Sequence, residues 1–216
     1  MEETRMEENK KRFEELFSRI KRAGADRLLV FIREKTDFYS APASTKYHLS
    51  KKGGLLQHSL NVYDALMAEK ANPILGKAIE KVSEETIIIV SLLHDLCKTF
   101  YYVESTKNQK TYDPEKVAAA DPHTVKHDNA GNFIWETVPY YTVKNKYPLG
   151  HGAKSVFFIM RIMPLTIQEI TAINWHMGAY CGQDQWNELG EAYETCPLAL
   201  ALHHADMVAT HVLEKE

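Results

Sequence analysis

The chain has 216 residues, 44% hydrophobic and 25% charged, with 26 basic against 29 acidic residues and a formal net charge of −3. That length holds one domain with a sizeable core, and the near-balance of charge argues against bulk binding to nucleic acid or an anionic membrane while leaving local basic patches open. No apolar run approaches the roughly 20 residues of a membrane-spanning helix, and the charged start MEETRMEENKKRFEELF lacks the apolar centre of a secretion signal.

Three widely spaced cysteines, Cys97, Cys181 and Cys196, suit neither a disulfide framework nor a zinc cluster. A cytoplasmic location is expected. Residues 4–22 form the first expected helix, with Phe13, Leu16, Phe17 and Ile20 on one stripe and Gly24 as its breaker. A second runs from Asp26 to about Asp37, before the loop FYSAPASTKYHLSKKGG. Gly53 and Gly54 then lead into LLQHSLNVYDALMAEK, where Leu55, Val62 and Leu66 suit a helix. Ser83 is the N-cap of the next, with Glu84 and Glu85 in the first turn, where the helix dipole favours acids. That helix is apolar nearly all round as far as about Cys97, and so should be buried.

From Phe100 to Pro148 the texture turns polar, aromatic and rich in turn residues. FYYVES and FIWETVPYYTV read as short strands, separated by a loop holding Pro114, Pro122, Asn129 and Gly131. Helix resumes at AKSVFFIMRIM and stops at Pro164. Thr166 and Glu169 form a capping box for a helix that reaches Met177, with Gly178 as its stop. A last helix begins near Pro197 and carries LALALHHADMVATHVLEK. The expected fold is mainly α, one domain spanning 1–216, with N-terminal helices and a lead-in loop over 1–52 and a small β-hairpin insertion over 100–148.

Six polar residues interrupt this pattern: His58, His94, Asp95, His151, His176 and Asp206. Singly, each reads as a hydrogen-bonded core histidine or a partly solvated aspartate paired with Lys or Arg. Together, four imidazoles and two carboxylates in apolar or Gly-flanked helix segments suit divalent metals, since a buried carboxylate persists only when paired or metal-bound. A carboxylate can also bridge two cations roughly 3.5–4 Å apart.

The order His58, His94-Asp95, His151, His176, Asp206 resembles the HD-domain superfamily of metal-dependent phosphohydrolases in its longer H…HD…H…H…D form. LLHDLCK is similar to that family's LLHDIGK, with Cys97 in place of glycine. GGLLQHSLNV resembles its first-ligand helix, and LHHADMVAT the helix of its last aspartate. FYSAPASTKYHLSKKGGLLQHSLNV is loosely similar to the lead-in of HD domains in bacterial 3′→5′ exoribonucleases.

The resemblance implies an HD-domain helical bundle holding two divalent metals, with Mn, Fe, Zn and Mg all open. His58, His94, Asp95 and Asp206 would hold the first, and His151 and His176 the second, with Asp95 bridging. It implies phosphohydrolase or phosphodiesterase activity on a nucleotide or short single-stranded nucleic acid, by attack of metal-activated water on phosphorus. Two other readings keep the same residues: an HD-type di-iron oxygenase and a non-catalytic nucleotide-sensing module.

Lys98 either reaches a substrate phosphate or faces the helix dipole as a C-terminal lysine. His48, in the loop before the first ligand, and His203, one turn before Asp206, are candidate substrate contacts; of the adjacent His203 and His204 only one can face inward. Tyr141 and Lys144 either border the site mouth or belong to ordinary strand packing. His123, His127 and His211 are expected at the surface.

Overall fold

The computed structural model describes residues 2–215. Helix α1 (Glu2–Phe17) buries Phe13, Leu16 and Phe17, as its apolar stripe requires. It stops five residues before the expected end. Arg19 and Ile20 donate to carbonyls three residues back, so a tight turn rather than a further helical turn delivers Ile20 to the core. Helix α2 (Ala25–Lys35) follows, with Leu28 and Ile32 buried. Gly53, at φ 78°, turns the chain into α3 (Gly54–Lys70), and a short α4 (Leu75–Ala78) precedes α5 (Glu84–Leu93).

Ser83 Oγ accepts the Thr86 N–H at 3.1 Å, so the expected cap starts α5, and every residue from Thr86 to Leu93 is buried. Each fully buried Leu or Ile contributes about 1.5–3 kcal/mol. The helix does not run to Cys97. It ends at Leu93 with His94 as its cap, and Leu96–Lys98 form a 3-10 turn.

The insertion is richer than a hairpin. Strands β1 (Tyr102–Thr111), β2 (Lys126–Asp128) and β3 (Gly131–Val143) form an antiparallel sheet in the order β1-β3-β2. Tyr102 pairs with Val143 at one end and Thr111 with Ile134 at the other. Where a loop was expected, α6 (Pro114–Ala119) forms, because Asp113 accepts the Glu115 N–H at 2.9 Å and Pro114 fits a first helical turn. Phe133 is the one buried hydrophobic residue of the sheet, flanked by Tyr112 and Trp135 with Lys110 Nζ 4.2 Å from its ring centre. Those aromatics pack the sheet itself.

Helices α7 (His151–Met160), α8 (Ile167–Trp175), α9 (Trp186–Thr195) and α10 (Pro197–Val208) complete the chain, followed by a π-helical turn over Ala209–Leu213. The Thr166–Glu169 capping box is present with both reciprocal bonds. Helix α8 ends two residues short of Met177, with His176 as its cap. Helix α3 packs on α5 and α10, α10 on α8, and α8 on α7 and α5. The fold is mainly α with one small sheet. Among the described residues no helix is long and apolar enough to cross a membrane, and all three cysteines are free.

Candidate metal centre

Two helices end in the same way. His94 caps α5 and its Nδ1–H donates to Ser91 O at 2.8 Å; His176 caps α8 and its Nδ1–H donates to Ile173 O at 2.6 Å. A carbonyl only accepts, so both imidazoles carry their proton on Nδ1. Each ring thereby satisfies a carbonyl that its helix end leaves open and aims Nε2 beyond that end. The negative ends of both helix dipoles converge there, which favours a cation.

His58, on α3, is fixed by a carboxylate instead. Its Nδ1 lies 3.0 Å from Glu214 Oε1, and Asn61 Nδ2 donates to the same oxygen at 2.9 Å. Glu214 is buried, and burial works against its charge, but the hydrogen bond from His58 outweighs this and holds its carboxyl below the usual range. It is therefore an ionised acceptor, and His58 too presents Nε2 inward. Neither His58 Nε2 nor His94 Nε2 is free to donate in the neutral ring, yet they face each other at 3.3 Å. Buried His176 Nε2 has no hydrogen-bond partner. In the neutral rings three lone pairs turn into one space, an arrangement that a cation fits.

Asp95 is 2% exposed and divides its two oxygens. Oδ1 lies 2.6 Å from His151 Nε2 and 3.6 Å from His176 Nε2. Oδ2 lies 3.5 Å from His58 Nε2, 3.4 Å from His94 Nε2 and 2.6 Å from Lys98 Nζ. Asp206 Oδ1 is 3.2 Å from His58 Nε2. Ligand-type atoms within 4.8 Å of one another fall into the groups His58/His94/Asp95, His94/His176/Asp206, Asp95/Cys97/His151 and His48/His58/Glu214. All six sequence candidates thus meet. The groups overlap: Asp206, besides lying beside His58, groups with His94 and His176, and Cys97 joins His151 and Asp95.

Burial works against protonation of His58, yet its bonds to Asp206, Asp95 and Glu214 raise its pKa well above the ordinary imidazole value. For His151 burial is again outweighed, by Cys97 and Asp95, and the pKa rises to about 9. Burial would raise Asp95 and Asp206; cationic neighbours, Lys98 above all for Asp95 and His58 for Asp206, instead hold both well below the carboxylate range. The cluster demands positive charge at its centre, from protons or from cations.

Lys98 is buried on Asp95, with its pKa raised against burial by that carboxylate. His48 lies beside the cluster, its ring centre 5.0 Å from that of His58; burial first, then the charges of His58 and Lys98, lower its pKa to about 4. His203 bonds through Nδ1 to His176 O at 2.7 Å, while exposed His204 bonds Glu69, so His203 is the inward member of the pair. Tyr141 pairs across the sheet with Glu104 and belongs to none of the ligand groups. Lys144 lines a cavity that touches Cys97. His123, His127 and His211 are exposed.

Glu214 and Asn61 escape sequence reading. An acid within LEKE looks like an ordinary charged terminus, and only the π-helical turn after Val208 carries it back to α3. Neither protein-family models, nor curated proteins, nor solved structures match the chain.

Proposed function

We propose that the protein is a dinuclear metal-dependent phosphohydrolase or phosphodiesterase of the HD type, acting on a nucleotide or short nucleic acid. The observation that carries this reading is the Asp95 carboxylate, with one oxygen toward His151 and His176 and the other toward His58 and His94. His58, His94, Asp95 and Asp206 would hold one divalent ion, and His151 and His176, with Asp95 shared, the other. Such a pair, when bound, acidifies a water and clamps a phosphoryl oxygen.

The remaining work falls to the protein. Lys98 keeps Asp95 ionised and fixes the oxygen that faces His58 and His94. Glu214, Ser91 O and Ile173 O hold three imidazoles in the tautomer that leaves Nε2 free. His151 has the most exposed side chain of the six, at 28%, so substrate approaches from its side.

Elemental analysis of anaerobically purified protein, beside the Asp95→Ala variant, tests the reading. About two transition-metal ions per chain, lost in the variant, with phosphate-ester cleavage that falls at least 100-fold, is the expected result. Absence of metal uptake on reconstitution would sink it. Iron with O₂ consumption and no ester cleavage would assign the same residues to an oxygenase.

A further inference from the structure

Cys97 faces two ways. Its Sγ lies 3.4 Å from His151 Nδ1, and the same residue lines a cavity of about 240 Å³ where α2, the turn after Lys98, the end of the insertion and α7 meet. Five cations line this cavity, Lys35, Lys144, Lys146, Lys154 and Arg161, and no carboxylate does. Its size is below the roughly 300–1,000 Å³ of a site for a whole drug-sized ligand, which suits one phosphate and an attached ring edge.

Lys154 is the informative member. Its residue is 5% exposed, yet its Nζ meets only Asn145 Oδ1, at 2.8 Å, and the Tyr101 ring, whose centre is 5.1 Å away. No carboxylate pairs with it among the described residues. An ammonium is rarely buried without a counter-charge, because desolvation is compensated only by pairing. An amide oxygen satisfies one of its three protons, and a ring face offsets part of the charge. At the rim, Phe100 takes a φ of +54°, a conformation bulky residues rarely adopt outside over-determined sites, and its ring centre stands 5.8 Å from Lys146 Nζ. Buried charge, aromatic surface and strain coincide beside the metal ligands.

We propose that this cavity is an anion subsite that takes a second phosphate of the substrate, so that the preferred substrates are nucleotides carrying at least two phosphate groups. This rests on the phosphohydrolase reading for the first phosphate, whereas anion binding itself does not.

Titration calorimetry of the metal-loaded full chain with inorganic pyrophosphate separates the two. Lys154→Gln should weaken binding about tenfold, as expected for loss of a charge-assisted contact. The Lys144→Gln/Lys146→Gln double variant, altered only at exposed rim positions, should weaken it at least threefold without endangering the fold. Lys11→Gln, on exposed α1 surface, should leave it unchanged. Equal affinity in wild type and both cavity variants overturns the subsite, whether or not the protein cleaves any ester. In the turnover arm, the ratio of KM for adenosine diphosphate to KM for adenosine monophosphate should rise at least threefold in the rim variant. An unmoved ratio alongside weakened pyrophosphate binding overturns the assignment of that anion to the substrate.

Discussion

Glu214 shows how far a single residue can act on the site without being one of the six candidates. It fixes the proton of His58 on Nδ1 through a 3.0 Å contact while sharing its oxygen with Asn61. Outer partners of ligating histidines govern ring orientation and basicity, and their loss costs about 10–100-fold in metal affinity. Glu214→Ala is therefore expected to weaken metal binding by that factor in a competition titration against a chelator; an unchanged affinity would show that Glu214 serves the fold alone. The six candidates themselves were legible because His and Asp in apolar runs violate the hydrophobic pattern. Glu214 was not, because an acid in a charged terminal stretch violates nothing. Cys97, a mild departure from the glycine of LLHDIGK, gains its place beside the cluster only through its 3.4 Å contact with His151.

Helix ends, more than helix faces, build the centre, and two contacts fix the helices that carry them. Arg22 reaches Glu169 on α8 with both guanidinium nitrogens, at 2.5 and 2.9 Å, and Glu85 on α5 at 3.3 Å, so one side chain clamps the helices that end in His176 and His94. Glu169 also accepts from Thr86 Oγ1 and Thr166 N. Burial opposes its charge, but Arg22 and these donors hold its carboxyl below the usual value. Removing the charge should cost about 3 kcal/mol near neutral pH, as for other buried pairs broken on one side. A depressed native pKa contributes stability that is full above the unfolded value, about 4.3 for Glu, and lost as pH falls through the native value. In denaturant unfolding, the gap between wild type and Glu169→Gln should thus be wide at pH 7 and narrow below about pH 4.3. A gap constant across that range would assign the effect to packing.

Gly152 makes the other contact. A Cβ there would strike the carbonyl oxygens of Ile173 and Asn174, so α7 approaches α8 closely only because residue 152 has no side chain. Gly152→Val should push His151 away from His176 and lower both thermal stability and metal stoichiometry; retention of two ions per chain would show that the ligands tolerate the shift. At this scale the Ser83 cap and the Thr166–Glu169 box could be read directly, since both are local. The overrun of α5 to Cys97 could not be avoided, because Leu96 and Cys97 continue the apolar pattern while the true stop is the His94 ring closing on its own helix. Strand β2 is only three residues long, too short to give a periodic signal.

Across the whole molecule, the cluster joins segments from α3 to the turn after α10, so binding of any metal there would be linked to folding. His58, His94, Asp95, His151, His176 and Asp206 span residues 58 to 206 and meet only in the folded chain. An ion that binds this assembly and not the unfolded chain stabilises it by about 2.7 kcal/mol at 100 times its Kd. For a chain of this length each kcal/mol moves Tm by about 2–4 °C, so one occupied site should raise Tm by roughly 5–11 °C, and a second should add to it. The linkage also has a direction that sets it apart from nonspecific salt effects. Scanning calorimetry should show Tm falling on chelation, returning on readdition of Mn²⁺ or Zn²⁺, and indifferent to both in Asp95→Ala. If Asp95→Ala responded to the ions as wild type does, the stabilising cations would lie elsewhere, and the six buried groups would be holding one another by hydrogen bonds alone.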